Sequence, residues 1–186
     1  MGRLLNNRDD DAKRETTLTV KMTDISSTRH VGEGFGLNSV ELQEYQPNRY
    51  PFLMIDIVEL VVPGKFARGY KNLTMNEWYF PHHFPGRPNM PGALQLEALA
   101  QMLTVAVTTQ EGLKGSITHA LSHTVRFRKE VVPGDKFEIE AEILSWSRGI
   151  CRGRGVGRTN GEVACEAEMT ITIPEILERF LPKPRN

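Results

Sequence analysis

Apolar residues are concentrated in one long stretch, residues 93–111, whose first turns carry few polar side chains on any face. A helix with this pattern is enclosed by other structure, because only burial covers all of its apolar sides. The remaining apolar residues fall in shorter runs that are rich in β-branched and aromatic side chains, as β-strands are. These runs cover residues 52–62, 66–74, 117–131, 137–146, 150–158 and 162–173. The pattern therefore predicts an α+β domain in which an antiparallel sheet of about six strands wraps around one long central helix.

Turn signals lie between several of these runs. Pro63-Gly64, Pro133-Gly134 and Asn160-Gly161 are dipeptides that favour tight turns. They predict that the strands on either side of each turn pair as antiparallel hairpins. Periodicity alone leaves open another α+β packing of the same elements.

Residues 1–36 have a different composition from the rest of the chain. They are mostly polar, with the acidic run Asp9-Asp10-Asp11, and later rich in Thr, Ser and Gly. Such a segment buries too little apolar surface to offset its ordering, so we expect a weakly ordered extension before a domain at residues 37–186. Because the start lacks the apolar core of a secretory signal or a membrane span, we expect a cytoplasmic protein without a membrane partner.

The charge balance argues against whole classes of partner. The 186 residues include 23 Lys and Arg against 23 Asp and Glu, so no global field attracts nucleic acid or an anionic membrane. Cys151 and Cys165 form no CxxC motif and have no His at metal-finger spacing, which favours free thiols in a reducing compartment. A chain of this length suits a single domain with one core.

Candidate chemistry concentrates in residues 82–92, which read His-His-Phe-Pro-Gly-Arg-Pro-Asn-Met-Pro-Gly. The prolines fix the backbone along one extended path and thereby hold the side chain of His83 in place. Pro91 suits the first position of a helix, and Gly92 has no Cβ, so a ligand atom can approach its N–H at the positive helix end. This N–H is a candidate oxyanion site.

A carboxylate, Glu97, follows in the second turn of the apolar helix. Burial in an apolar wall favours the protonated form of a carboxyl group, which would make Glu97 a proton donor near neutral pH. The alternative is that Glu97 points out of the helix or pairs with an arginine. Spacing alone favours neither interpretation.

The same residues carry a resemblance to a known family. Residues 83–92, followed by Leu-Glu-Ala-Leu-Ala-Gln at 96–101, are similar to the active-site signature of the (3R)-hydroxyacyl-[acyl carrier protein] dehydratases, the FabZ-like proteins of the hot-dog fold. Residues 48–56, 71–77 and 125–135 resemble further segments of the family, in the family's order. The resemblance extends over roughly residues 37–174 and implies a single hot-dog domain.

By this resemblance, the protein dehydrates a 3-hydroxyacyl thioester to a trans-2-enoyl thioester without a metal or an organic cofactor. His83 is implied as the base at the α-carbon, Glu97 as the acid at the departing hydroxyl, and the Gly92 N–H as the group that polarises the carbonyl. Supporting roles are implied for Phe84, Gly86, Pro91 and Gln101. Glutamate at position 97 is typical of the branch that dehydrates without isomerising the double bond.

The resemblance also implies partners. Acyl carrier protein or coenzyme A carries the thioester, and two subunits pair edge to edge, as a homodimer or as a trimer of such dimers. Each active site would take His83 from one subunit and Glu97 from the other. One sheet around one helix leaves a side of that helix poorly covered, which also favours dimerisation.

Two other functions remain open. A hot-dog thioesterase would hydrolyse the thioester with a carboxylate and water, and would not need the loop at residues 82–92. A non-catalytic acyl-binding module would be expected to lack the acid or the base, and both are present. The chain departs from the family at His82, where glycine is common, and at residues 119–123, near the substrate mouth. The resemblance itself implies fatty acid synthesis. These departures, together with the extension at residues 1–36, favour a specialised polyketide or other secondary lipid pathway instead.

Overall fold

The structure is a computed structural model that describes residues 34–182. Within this range the chain forms one antiparallel sheet of seven strands around a central helix. The strands are β1 (Phe35–Leu37), β2 (Ile57–Val62), β3 (Phe66–Asn72), β4 (His119–Phe127), β5 (Lys136–Ser147), β6 (Ile150–Thr159) and β7 (Glu162–Thr172). The helices are α1 (Leu42–Tyr45), the central α2 (Gly92–Thr108) and α3 (Pro174–Leu177), which a 3-10 turn at Glu178–Phe180 follows. Over the same residues, no helix has both the length and the apolar character that a membrane crossing requires.

Helix α2 forms the centre of the core, as its apolar sequence predicts. Leu99, Met102 and Leu103 are fully buried, and each such side chain contributes about 1.5–3 kcal/mol through burial. Strand β6 lets the helix come close because its glycines face it. A Cβ at Gly153 would lie 2.4 Å from Leu103 Cδ1, and one at Gly155 would lie 3.0 Å from Leu99 Cβ. The absence of side chains at these positions therefore allows the helix to pack directly on the sheet.

The predicted α+β class and hot-dog arrangement are confirmed, and so are the hairpins β2–β3 and β6–β7. The sheet has one strand more than the predicted runs, because Phe35 and Gly36 belong to β1, which pairs with β2. Both residues fall within the expected extension at residues 1–36, and residues 1–33 of that extension lie outside the described part of the chain.

The predicted hairpin across Pro133-Gly134 is wrong. Strand β4 pairs with β7, whereas β5 pairs with β3 and β6, which gives the sheet order β1-β2-β3-β5-β6-β7-β4. A turn signal shows where a strand ends but not which strand it joins. Here residues 128–135 form a connection that crosses from the sheet edge to its middle, so a local signal could not reveal the pairing.

Strand β4 lies at one edge of the sheet and is largely exposed. Phe127 at its end is 50% exposed although it faces the start of α2. An edge strand of this length, with nine residues, presents a row of unpaired backbone groups that can pair with another strand. The domain therefore has one sheet edge that is suited to a partner.

Candidate active site

Backbone hydrogen bonds fix the loop that precedes α2. The His83 N–H donates to the Tyr79 carbonyl at 2.9 Å, and the Asn89 N–H donates to the His83 carbonyl at 2.9 Å. The Met90 N–H donates to the Val131 carbonyl at 2.7 Å, which ties the end of the loop to the segment after β4. The prolines limit the backbone between these points to an extended path. The backbone of His83 is therefore held on both sides.

Phe84 and Gly86 shape the tip of this loop. The rings of His83 and Phe84 stack with centroids 4.1 Å apart and an interplanar angle of 27°. Phe84 and Arg87 exchange backbone hydrogen bonds of 3.2 and 3.0 Å, and Gly86 makes the turn between them with a φ of 78°. This left-handed φ suits glycine, which has no Cβ to clash with the backbone.

The side-chain hydrogen bond of His83 determines which of its ring nitrogens is free. Nδ1 lies 3.0 Å from the Asn89 carbonyl oxygen. Because a carbonyl oxygen only accepts hydrogen bonds, Nδ1 carries the proton in this contact, and the neutral imidazole keeps its lone pair on Nε2. The ring is partly buried, and Nε2 is the atom that can take up a proton.

Glu97 lies in the second turn of α2 and is half-buried. Its Oε1 accepts a 2.9 Å hydrogen bond from Gln101 Nε2 and lies 3.5 Å from Asn48 Nδ2. Across residues 34–182, no Lys or Arg forms an ion pair with this carboxyl group. The alternative of an arginine partner is therefore not observed, and the described hydrogen-bond partners of Glu97 are neutral amides.

Gln101 connects Glu97 to a separate segment of the chain. It is 2% exposed, and its Nε2 also donates to the Phe52 carbonyl at 2.7 Å. Its Oε1 accepts from the Met54 N–H at 2.8 Å. A buried amide that satisfies two backbone groups has little freedom to move, so the third hydrogen bond holds the Glu97 carboxyl group in one orientation.

The start of α2 presents a free backbone donor. The helix begins at Gly92, so Pro91 is the cap residue before the helix, whereas the sequence predicts it as the first helical residue. The first N–H groups of a helix have no acceptor within it, and the Gly92 N–H has none among residues 34–182. Gly92 lines a cavity of about 470 Å³ together with Met90 and Phe127.

A second cavity, of about 110 Å³, lies beside Glu97 between α2 and strands β4 and β7. Neither this cavity nor the larger one is lined by both His83 and Glu97. The structure of one chain thus does not bring the candidate base and the candidate acid together in either of these two cavities. It brings Glu97 together with Gln101, and His83 together with the carbonyl of Asn89.

Two contributors to the site were not singled out from the sequence. Asn89 acts through its backbone carbonyl, which no side-chain pattern reveals. Asn48 lies 3.5 Å from Glu97 through its amide nitrogen. Its position at the start of the segment 48–56, which resembles the dehydratase family, was the available signal.

A charged cluster supports the chain just before the loop. Lys71 Nζ lies 3.1 Å from Glu77 and 3.4 Å from Asp56, and the lysine side chain is 8% exposed. Asp56 is partly buried and accepts a 2.7 Å hydrogen bond from the Asn72 N–H. Burial, with the nearby carboxylates of Glu77 and Asp56, raises the pKa of Tyr79 well above its ordinary value, so this phenol stays neutral.

Several basic residues of the C-terminal half are paired with carboxylates. Arg154 lies 2.8 Å from Glu142, and Arg158 lies 2.8 Å from Glu140, across strands β5 and β6. Further ion pairs join Arg128 to Glu166 and Lys129 to Glu162. These four carboxylates neutralise the four basic side chains, so this group of positive charges does not need a bound anion.

The sheet that wraps α2, with a histidine loop at one end of the helix and a carboxyl group on its side, defines a hot-dog protein with a candidate acid–base site. Residues 46–168 match the family model described as a FabA-like domain, and the chain belongs to this family, as the sequence predicts. Its alignment with 3-hydroxyacyl-[acyl-carrier-protein] dehydratase FabZ of Bacillus licheniformis is 44% identical over 140 residues, and covers 75% of this chain and 97% of that protein. The protein of the same name from Bacillus subtilis is also 44% identical over 140 residues, with 75% and 99% covered.

Solved structures show the same fold at much lower identity. The dehydratase heterocomplex ApeI:P from Xenorhabdus doucetiae gives a TM-score of 0.62 at 17% identity, covering 76% of this chain and 97% of that chain. Cj0977, a sigma28-regulated virulence protein from Campylobacter jejuni, gives 0.56 at 12% identity, covering 73% and 89%. These likenesses concern the fold alone.

Proposed function

We propose that the chain is a 3-hydroxyacyl-[acyl-carrier-protein] dehydratase of fatty acid biosynthesis, which removes water from a 3-hydroxyacyl thioester to give the trans-2-enoyl thioester. The names of the curated relatives support both the reaction and the carrier protein. The observation that carries the proposal is the hydrogen bonding of two side chains. His83 has its Nδ1 hydrogen-bonded and its Nε2 available, and Glu97 is oriented by a buried amide.

In this reaction His83 is the base. Nε2 takes the proton from the α-carbon, and the electron pair of that C–H bond forms the new double bond between the α- and β-carbons. The hydrogen bond from Nδ1 to the Asn89 carbonyl keeps the ring oriented and favours the imidazolium that forms. The Gly92 N–H, at the positive end of α2, stabilises the charge that develops on the thioester oxygen.

Glu97 is the acid. Its carboxyl group gives a proton to the β-hydroxyl as the carbon–oxygen bond breaks, so the hydroxyl leaves as water. Its neutral hydrogen-bond partners suit this role because they orient the group without holding it as a carboxylate by ion pairing. The steps need one base, one acid and one carbonyl polariser, and the chain supplies all three, so the mechanism uses neither a metal nor an organic cofactor.

We further propose that the working site is shared between two subunits of a homodimer that pair through β4. The exposed edge of β4 supports this assembly, since a second β4 strand would satisfy its unpaired backbone groups. His83 does not line the cavity beside Glu97 within one chain, which supports a site completed by the partner. The free, buried thiols of Cys151 and Cys165 fit a reducing compartment such as the cytoplasm.

Mass spectrometry of 3-hydroxyacyl thioesters incubated with the pure protein tests the reaction. Loss of one water from the acyl group is the expected result, whereas release of the free acid would identify a thioesterase and overturn the proposal. His83→Ala and Glu97→Gln should each abolish water loss while the protein stays folded. His82→Ala is the matched control, because it removes an exposed imidazole at the neighbouring position and should leave the rate within about threefold.

Mixing the two inactive variants tests the shared site. If His83 of one subunit acts with Glu97 of the other, a heterodimer of His83→Ala and Glu97→Gln chains contains one intact site and one doubly altered site. Random pairing makes about half of the dimers mixed, so roughly a quarter of the wild-type activity should return after co-refolding. No recovery, although light scattering shows dimers, would place both residues of each site in one subunit.

A further inference from the structure

The cavity of about 470 Å³ at the start of α2 combines a free donor with an acceptor that has no partner. Its walls come from the loop before the helix, from the first turn of the helix and from the end of β4 with the residues that follow it. Gly92 and Gln95 both line it and lie one turn apart on the same face of α2. The Gly92 N–H donates to no backbone acceptor in the part of the chain that the structure describes.

The side-chain amide of Gln95 is only half satisfied. Its Nε2 donates to the Met90 carbonyl at 3.1 Å, and Met90 also lines the cavity, so the amide group lies at the cavity wall. Its Oε1 is buried and accepts from no donor among residues 34–182, and the whole residue is 4% exposed. A buried acceptor without a donor costs free energy, so its presence in a folded protein needs an explanation. A ligand that brings an N–H group into the cavity would supply the missing donor.

Gln95 differs in its location from the other buried residues with an unpartnered side-chain atom. Among the described residues these atoms are Arg68 Nε, Tyr79 Oη, Thr159 Oγ1 and Glu166 Oε2. None of these four residues lines the cavity at Gly92. The unpartnered acceptor of Gln95 is thus the one that adjoins the proposed carbonyl-binding group.

The substrate of the proposed reaction carries both complementary groups. Acyl carrier protein and coenzyme A hold the acyl group on a cysteamine unit, in which two methylene groups separate the thioester sulfur from an amide N–H. The thioester carbon and this nitrogen are about 5 Å apart along an extended arm, since an extended chain covers about 3.5 Å for every three bonds. Side chains one helical turn apart are separated by about 5–6 Å. One arm can therefore reach Gly92 and Gln95 together.

We propose that Gln95 Oε1 accepts a hydrogen bond from this amide N–H while the Gly92 N–H binds the thioester oxygen, so that the cavity recognises the carrier arm as well as the acyl group. This inference rests on the proposed dehydratase function. It takes Gly92 and Gln95 from one chain and places no demand on which subunit supplies Glu97, so it is compatible with a site shared between subunits. Gln95 determines specificity in this role and takes no part in the proton transfers.

The test compares two 3-hydroxyacyl thioesters that carry the same acyl group. One is the thioester of N-acetylcysteamine, and in the other a methylene group replaces the amide N–H. In the wild type, kcat/KM for water loss should be higher for the amide by about tenfold or more, because only that substrate satisfies the Gln95 acceptor. Gln95→Leu removes the acceptor and should reduce this preference to about threefold or less. The wild-type comparison needs no variant, and Gln95→Met serves if Gln95→Leu does not fold.

Gln110→Leu is the matched control. Gln110 follows the other end of α2, and its Nε2 donates to the Val107 carbonyl at 3.1 Å, as that of Gln95 donates to the Met90 carbonyl. It does not line the cavity at Gly92, so the rates for both thioesters and their ratio should stay within about twofold of the wild type.

Three outcomes would count against the inference in different ways. Equal rates for the two thioesters in the wild type, or a preference that survives in Gln95→Leu, would overturn it while the observed water loss leaves the dehydratase function standing. If Gln95→Leu slows both thioesters by the same factor, Gln95 only positions the Met90 carbonyl and the inference is also wrong. An absence of water loss from every thioester, including one bound to acyl carrier protein, would overturn the dehydratase function, and this inference with it.

Discussion

Replacing Gln101 by leucine removes three hydrogen bonds from a side chain that is 2% exposed. Two of them satisfy backbone groups, the Phe52 carbonyl at 2.7 Å and the Met54 N–H at 2.8 Å. The third, of 2.9 Å, orients Glu97. Leucine occupies a similar volume but satisfies none of these groups, so the substitution leaves them without partners.

The expected cost follows from these contacts. A donor or acceptor left unsatisfied in a buried position costs about 1–3 kcal/mol, so the loss of partners for the two backbone groups should lower the free energy of unfolding by about 2–6 kcal/mol. That is a large part of the roughly 5–15 kcal/mol that stabilises an ordinary domain. Urea denaturation followed by fluorescence measures the change. The kcat/KM for water loss should fall as well, because the Glu97 carboxyl group loses its main hydrogen-bond donor.

Gln95 offers a matched control for stability on the same helix. It is 4% exposed, but its amide makes a single hydrogen bond, from Nε2 to the Met90 carbonyl at 3.1 Å, and its Oε1 has no partner in the described part of the chain. Gln95→Leu leaves one buried carbonyl without a donor, but it also removes a buried oxygen that has no partner, so the two effects largely cancel and the net cost should be about 1 kcal/mol or less. If Gln101→Leu is no more destabilising than Gln95→Leu, Gln101 does not tie α2 to residues 52–54 as the structure indicates.

Two further predictions concern groups away from the reacting atoms. Lys71→Met leaves the carboxylates of Asp56 and Glu77 without their shared cation, and should lower the free energy of unfolding by about 3 kcal/mol; a loss below about 1 kcal/mol in urea denaturation would contradict this ion cluster. Burial raises the pKa values of Cys151 and Cys165 to about 12, so both thiols should resist a disulfide reagent at neutral pH and react only after unfolding. From the ordinary value of 9.0 up to about 12, unfolded thiols ionise before folded ones, so stability should fall with rising pH there, as pH-dependent denaturation would show.

Local signals in the sequence were enough to predict part of the fold. Pro63-Gly64 and Asn160-Gly161 each join strands that are adjacent in the sheet, and those hairpins formed as predicted. Pro133-Gly134 marks an equally clear turn, yet the strands before and after it do not pair. The choice of partner for β4 depends on how the chain returns after α2, which is a long-range property that no turn dipeptide encodes.

The site shows the same division between local and long-range information. Helical spacing puts Gln101 one turn after Glu97, so a contact between them follows from the sequence. The bonds of Gln101 to Phe52 and Met54 depend on the tertiary position of that segment, and residues 48–54 carry no regular element that would predict it. The Asn89 carbonyl under His83 is likewise set by the path of a loop.

Burying a carboxyl group in an apolar helix costs free energy unless other polar groups hydrogen-bond to it. In this chain those groups form a series, in which each group orients the next. The backbone groups of Phe52 and Met54 hydrogen-bond to the buried amide of Gln101 and hold it in place. Gln101 in turn orients Glu97 through its third hydrogen bond. The orientation of the Glu97 carboxyl group therefore depends on a segment that precedes it by more than forty residues. A substitution that shifts the backbone of Phe52 or Met54 should therefore change the orientation of Glu97 without contacting it. A substitution on the opposite, core-facing side of α2 should instead lower the free energy of unfolding.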